Sequence, residues 1–366
     1  MTQLVVALLG RRDEPTDAIE EYCRYLGSAL RAHDIQLEIR RVPWEKVGWS
    51  EAVRGLRLQA SAWKDTWVLV QYTALAWSAR GFPHRFSRVL KVLKRAGARL
   101  AFVFHDVEPY GGTRLIDSLR RAVQIRTMRR AASMADYAIF TVRPERLSWK
   151  PEVGARVAFA PVGPNLPIPS ELPSNLREVS VPTIGVFSIT GGEAGTRETR
   201  LILDAVRNAT QHVGKVRLSV FGRYAEVREQ DLINGLRGLP VELSVEGVLD
   251  ASQVVERLCA CDVLFFVRGG ISSHRGSAIA GIACGLPLIA FSGSETAPPI
   301  TDAGVILIEP DRPEELNRAL VEVLSDANYR AELASRSRST YLKHFAWPVI
   351  ASHFATLIGN RHNHLL

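Results

Sequence analysis

The sequence is poor in cysteine and methionine and contains no long apolar run. Four cysteines occur in 366 residues, Cys23, Cys259, Cys261 and Cys284. So few fit a reducing compartment better than a disulfide scaffold. The C-x-C spacing of Cys259 and Cys261 is too tight for an ordinary zinc-finger pair, and the cysteines read as small buried hydrophobes. The longest apolar stretches are Leu4 to Leu9 and Val263 to Val267. Both fall well short of a membrane-spanning helix, which needs about 20 residues. Leu4 to Leu9 is also too short for a signal-peptide core, and no basic stretch precedes it. A cytoplasmic protein is therefore expected. Missing too are G-x-x-x-x-G-K-[ST], H-E-x-x-H and G-x-S-x-G, which argues against P-loop, zincin and nucleophile-elbow chemistry.

What is present is a globular composition, 46% hydrophobic and 23% charged, which excludes disorder over most of the chain. The length suggests about two domains, at roughly 100–200 residues each. The net charge of +8 is uneven. Residues 1–165 carry 27 Lys/Arg against 16 Asp/Glu, a balance of +11, and the rest carry 19 against 22, a balance of −3. Most of the excess lies in residues 80–130, with 13 basic side chains and three acids, Asp106, Glu108 and Asp117. A basic first half points to an anionic partner such as a membrane surface, nucleic acid or a phosphorylated acceptor; a solvated helix face is the alternative.

Along the chain, short apolar runs alternate with amphipathic stretches. Leu4–Leu9, Thr66–Tyr72, Leu100–His105, Tyr137–Thr141 and Val157–Ala160 read as strands. A helix is expected after Thr16 and another over Phe86–Ala96. From Pro161 to Pro182 six of the 19 prolines cluster, which predicts a linker. The alternation then restarts, with strands at Thr183–Ser188, Val216–Gly222, Val241–Gly247, Asp262–Val267, Leu286–Phe291 and Gly304–Glu309. Helices are expected at 197–212, 253–259, 277–284, 313–324 and 329–343. Such alternation predicts an α/β chain of two Rossmann-like domains with parallel sheets, since parallel strands need crossover helices.

The second half carries the most specific pattern. Gly247 to Leu249, Cys261 to Val263, Ala283 to Pro287 (A-C-G-L-P) and Glu309 to Leu316 (E-P-D-R-P-E-E-L) follow one another along the chain. Together they resemble the donor domain of retaining GT-B glycosyltransferases, especially family 4. The resemblance covers residues 183–345 and implies two Rossmann-like domains facing across a cleft. It divides the chain into an acceptor-binding domain at 1–165, a nucleotide-sugar-binding domain at 166–345, and a final helix at 346–366 that crosses back to the first domain or packs as a plain core helix. It also implies a nucleotide diphosphate sugar as substrate, with no cofactor and no metal; the D-x-D of the metal-dependent glycosyltransferase fold is absent.

Candidate site residues follow from this resemblance. His105, in the loop FHDVEPYGG, takes the place of the histidine that contacts the donor sugar, and is the candidate catalytic residue. Ile189 to Arg200 joins a strand to a helix, where Gly191 and Gly192 permit close backbone approach and a helix amino terminus favours an anion. Arg197 takes the position of the family's phosphate-binding lysine. The partner arginine at the strand end is absent, and Arg200, Arg223, Arg268 and Arg275 are its candidate substitutes. Gly247, Val248 and Leu249 are assigned to the base. The family's Glu-x7-Glu motif aligns with Ser272 and Ala280, so neither acid is present, and an ordinary ribose acceptor is missing at 280. His274, Arg275, Gly276 and Ser277 remain as donors to phosphate.

The resemblance implies transfer of a sugar, with retention, to a polysaccharide, lipid-linked or other carbohydrate acceptor, as in polysaccharide biosynthesis. No nucleic-acid partner is expected, and a peripheral position at the inner face of a membrane is. The missing glutamates motivate an alternative, an inactive nucleotide-sugar-binding protein, since fold alone does not establish activity. A nucleotide-sugar epimerase is a weaker third reading.

Overall fold

The computed structural model describes residues 2–13, 16–112, 114–151, 156–172 and 181–359. Among these, no helix is long and apolar enough to cross a membrane. The chain packs as two units, Met1–Pro161 joined by Trp347–Leu366, and Val162–Ala346.

The first unit is built on a six-stranded parallel sheet of order β2-β1-β3-β4-β5-β6. Its strands are β1 (Gln3–Leu9), β2 (Ile35–Arg41), β3 (Trp67–Tyr72), β4 (Arg99–Phe104), β5 (Tyr137–Phe140) and β6 (Arg156–Phe159). β3 is buried at every residue, as expected of a central parallel strand covered on both faces. Helices α2 (Trp44–Ala60), α3 (Phe86–Arg95) and α4 (Leu115–Met134) share one core with the sheet. Helix α1 (Ala18–Leu30) packs with the final helix α11 (Trp347–Gly359), where Tyr25 stacks on Trp347. The α1 cap is Asp17, not Thr16: its carboxylate accepts from the Ile19 and Glu20 amides.

In this unit sequence reasoning did not foresee β2, α2 or α4. β2 lies at the sheet edge, and its IQLEIRR pattern leaves charge on a half-exposed ribbon. α2 is bent at Gly48, whose φ is 78°, and the break spoils its apolar period.

The second unit holds another six-stranded parallel sheet, of order β12-β11-β10-β7-β8-β9. Its strands are β7 (Thr183–Phe187), β8 (Val216–Phe221), β9 (Val241–Glu246), β10 (Val263–Gly270), β11 (Leu288–Phe291) and β12 (Val305–Ile308). Its helices are α5 (Gly192–Val213), α6 (Glu229–Leu236), α7 (Ala251–Cys259), α8 (Gly276–Ala283), α9 (Glu315–Ser325) and α10 (Ala327–Thr340). α5 starts five residues before the expected Arg197. A Cβ at Gly195 would lie 1.8 Å from the Thr190 carbonyl oxygen, so glycine lets the first turn wind tightly onto the loop that precedes it. The proline-rich stretch is partly outside the described residues, at 173–180. Its start is fastened to the second unit, since the Val162 amide donates to the Ser273 carbonyl.

Each sheet reverses direction once. In the first unit the chain goes from β1 to β2 on one side, then to β3 on the other. In the second it runs β7, β8, β9, then crosses to β10. Ligands of open parallel sheets bind beyond the carboxyl ends of the strands at such a reversal.

Candidate functional site

In the second unit the reversal falls between β7 and β10. Directly after β7 comes Ser188, held at φ 67°, a conformation that costs a non-glycine residue on the order of 1–3 kcal/mol. Its hydroxyl accepts a hydrogen bond from the Arg223 amide at 3.2 Å, tying β7 to the end of β8. β10 ends in Arg268, Gly269 and Gly270. Arg268 is half-buried, and its Nε is buried without a hydrogen-bond partner. Burial pulls its pKa down, Glu198 opposes that, and Arg275 and Arg223 lower it further. Arginines from the loop after β8 (Arg223), from β10 (Arg268) and from the α8 cap (Arg275) therefore act on one another electrostatically, with the buried Glu198 carboxylate opposing them. One Glu198 oxygen already accepts the Thr190 amide at 2.7 Å.

Two helix amino termini open at the same strand ends. Gly191 caps α5, and a Cβ there would press on the Tyr224 ring at 3.2 Å. Gly192 takes φ 65°. Gly276 and Ser277 begin α8, with Arg275 at its cap. Unpaired amides and the helix dipole favour an anion at both. Arg197 stands beyond the first turn of α5, exposed, with Glu193 at 4.0 Å. Arg200 is exposed on the same helix. Gly247, Val248 and Leu249 follow β9 directly, and the Gly222 amide donates to both the Glu246 and Gly247 carbonyls. This puts the base candidates beside the strand end that carries Arg223.

The aligned positions of the missing glutamates are both buried, Ser272 at 0% exposure and Ala280 at 1%. The Ser272 hydroxyl lies 3.2 Å from His274 Nδ1, and Glu295 Oε2 is 3.4 Å from the same nitrogen. Glu295 thus supplies a carboxylate to the loop that the motif alignment leaves without one. It comes from the β11 loop, which Thr296 fastens by donating to the Ile271 carbonyl. Nothing in the S-G-S-E-T-A-P-P segment signals this in sequence.

In the first unit a cavity of about 260 Å³ occupies the reversal between β1 and β3. Gly10, Arg11, Asp13, Gln71, Thr73 and Asp106 are among its walls. A Cβ at Gly10 would lie 2.1 Å from the Ala76 carbonyl oxygen, so only glycine fits this bend. Arg41 bonds Asp17 and Glu20, each at 2.6 Å. Arg24 and then Arg41 hold the Glu20 carboxyl down at about 2. Asp106 bonds the Ala74 amide, yet burial raises its pKa. His105 stands behind this wall, 8% exposed, with Nε2 2.8 Å from Gln71 Oε1 and its ring edge-on to Tyr22. Burial alone lowers its pKa to about 4, so the ring is neutral near pH 7. Gln71 and Asp17 were not candidates from sequence, being a polar residue inside an apolar strand and a helix cap.

Two parallel-sheet Rossmann-like units, each with its ligand-competent reversal, define the GT-B fold. Solved structures match it over nearly the whole chain. A sucrose-phosphate synthase from Thermosynechococcus elongatus is 17% identical, with 97% of this chain and 98% of that one covered and a TM-score of 0.71. Anabaena HepE, solved with UDP and glucose, is 16% identical over 98% and 99%, with a TM-score of 0.64. WaaG, a glycosyltransferase involved in lipopolysaccharide biosynthesis, is 15% identical over 97% and 100%, with a TM-score of 0.58. No protein-family description matches the chain, and no curated protein matches it in sequence.

Proposed function

We propose that this chain is a glycosyltransferase whose second unit binds a nucleotide diphosphate sugar and whose first unit binds a hydroxyl-bearing acceptor. The observation that carries the reading is Arg268. Arg268 is half-buried with an unbonded buried Nε, and Glu198 is the one acid that offsets the repulsion of Arg223 and Arg275 on it, so a bound anion is favoured beside it. A diphosphate fits this need, with the α5 and α8 amino termini supplying amides. Gly247 to Leu249 would border the base, as the resemblance suggests, and Arg197 is a second, more exposed phosphate contact. The acid- and amide-lined cavity of the first unit suits hydroxyls, which donate to carboxylates and to Gln71. Fold neighbours solved with UDP and UDP-glucose make uridine diphosphate the probe of choice.

In the reaction, the bond between the anomeric carbon and the β-phosphate oxygen breaks, and a bond to the acceptor oxygen forms. The acceptor proton goes to the departing phosphate. Following the resemblance, this occurs on one face of the sugar, with retention. The chain's own contribution is to position both substrates and to stabilise the charge that grows on the diphosphate. Neutral His105 acts on the sugar only as a hydrogen-bonding group.

A second reading is a binding protein without transfer, favoured by the burial of Ser272 and Ala280. The two are separated by incubating the protein with nucleotide sugars and following release of the nucleoside diphosphate by mass spectrometry. Release supports the transferase, and binding without release supports the other. A buried alanine at 280 also leaves the ribose without its usual carboxylate. Calorimetric affinities for UDP and 2′-deoxy-UDP should then differ by less than about tenfold, the worth of one neutral hydrogen bond. A larger preference for ribose would mean that another acceptor, with Glu295 the first to test, has taken that role.

A further inference from the structure

The structure assigns Cys259 and Cys284 of the second unit as a peroxide-reactive dithiol, in which Cys259 is oxidised first and Cys284 closes the disulfide. The pair lies at the carboxyl end of α8, at the opposite end of that helix from Gly276 and Ser277, and the inference stands apart from the transferase reading.

Position is the first observation. Cys259 is the last residue of α7, and Cys284 directly follows α8. The two helices pack together, and the Cys284 thiol donates a hydrogen bond to the Cys259 sulfur. α10 packs on the same helix end. Its Arg338 donates from Nη1 to the Ala283 carbonyl at 2.8 Å, which brings a guanidinium to the residue before Cys284. The same guanidinium lies 5.1 Å from the centre of the Tyr341 ring. Arg338, Tyr341 and Cys261 are thus the charged and titratable groups that act on the pair.

Exposure is the second observation. Sequence reasoning treats all four cysteines alike, as small buried hydrophobes. Cys23, Cys261 and Cys284 are buried as expected, but Cys259 is only half-buried. Cys261 is held apart from the pair's chemistry. Its thiol donates to the Arg257 carbonyl at 3.1 Å, and a Cβ at Gly185 would lie 2.6 Å from its sulfur. A partly exposed thiol that accepts a hydrogen bond beside a guanidinium is in the setting that favours thiolate. The Cys284 hydrogen bond brings the Cys259 thiol down to about 7, against burial and with help from Arg338. The same bond, and then burial, push the Cys284 thiol up, so Cys284 keeps its proton while Cys259 reacts.

The chemistry balances with one hydrogen peroxide. The Cys259 thiolate attacks one peroxide oxygen; an S–O bond forms, the O–O bond breaks, and the departing hydroxide takes a proton to become water. The Cys284 sulfur then attacks the sulfenic sulfur; the S–S bond forms, the S–O bond breaks, and the Cys284 proton leaves with the hydroxyl as a second water. Two thiols are oxidised and one peroxide is reduced. In a reducing compartment such a pair rests as thiols and oxidises only transiently.

Peptide mapping of the full chain tests this. The protein is reduced, freed of reductant, treated with one equivalent of hydrogen peroxide, and digested with trypsin. The peptide 258–268, which holds Cys259 and Cys261, should be joined to the peptide of Cys284, and dithiothreitol should reverse the link. Cys261→Ser should keep the link and Cys259→Ser should lose it. Cys284→Ala should stop at a sulfenic acid on Cys259, captured by dimedone. Without peroxide, iodoacetamide at pH 7 should modify Cys259 at least about tenfold faster than Cys23, whose thiol burial shields and pushes up. That rate should rise through a midpoint near pH 7 in wild type, and at higher pH in Cys284→Ala. Unchanged melting temperatures show that the variants keep their fold. Three results overturn the proposal: no link to Cys284 in the folded wild-type protein, a link that persists in Cys259→Ser, or alkylation of Cys259 no faster than that of Cys23.

Discussion

At the scale of residues, the arginines differ in kind. Arg268 is half-buried, with its Nε buried and unbonded and two arginines acting on it, whereas Arg197 is an exposed side chain near Glu193. Arg268→Ala is expected to weaken UDP binding by ten- to a hundredfold, a charge-assisted bond being worth about 1.5–3 kcal/mol. Arg197→Ala should weaken it by up to about tenfold, because an exposed contact is screened. Calorimetry on both variants checks this; a near-normal dissociation constant for Arg268→Ala would remove it from the site. His105 makes a different prediction. Its folded pKa lies near 4, below the ordinary value of about 6.5, because burial disfavours its charged form. The unfolded chain therefore takes up a proton first as pH falls, and stability rises with pH through this window. His105 should cost up to about 3 kcal/mol between pH 6.5 and pH 4, at about 1.4 kcal/mol per unit. Denaturant titrations at pH 7, 5.5 and 4.5 should show a shallower loss for His105→Gln than for wild type.

At the scale of elements, close contacts decide where a helix begins. α5 starts at Gly192 because Gly195 has no side chain to strike the Thr190 carbonyl. Gly195→Ala is expected to destabilise the protein by about 1–3 kcal/mol, as overpacking does. It should also loosen UDP binding, because the displaced turn carries the cap glycines. Thermal melting and calorimetry on the one variant test both effects; a variant with unchanged melting temperature would show that the loop yields. The helices and strands themselves were mostly readable. In the second unit all six strands were expected: the central ones are apolar-rich runs, and the edge strand β9 alternates apolar with polar residues. Helix limits were not, because the contact that sets the start of α5 comes from outside the repeating pattern.

At the scale of the whole molecule, the first unit is discontinuous. α11 buries Ile350, Ala351, Phe354 and Ile358 completely, and the Gln3 side chain donates to the Ile358 carbonyl at 3.3 Å. Residues more than three hundred positions apart thus complete one core. Phe354→Ala should destabilise that unit by about 3–5 kcal/mol. With two units unfolding need not be a single step, so the expected result is a shift in one of two denaturant transitions. A shift confined to the transition of residues 162–346, followed by hydrogen exchange, would contradict the assignment of α11.

The class of fold is legible in the sequence, because alternation of apolar strands with amphipathic helices is a local pattern. The sequence by itself also determined the unequal charge of the two halves and pointed to the glycine-rich strand-to-helix turn at 189–200. Tertiary structure alone decided what the patterns leave open. Arg223 and Arg275 act electrostatically on Arg268 because β10, β7 and β8 are neighbours in an order the chain does not follow. Glu295 reaches His274 from the loop after a different strand. His105 is neutral because of what surrounds it. Burial and charge compensation depend on which distant segments pack together, and no local period encodes that.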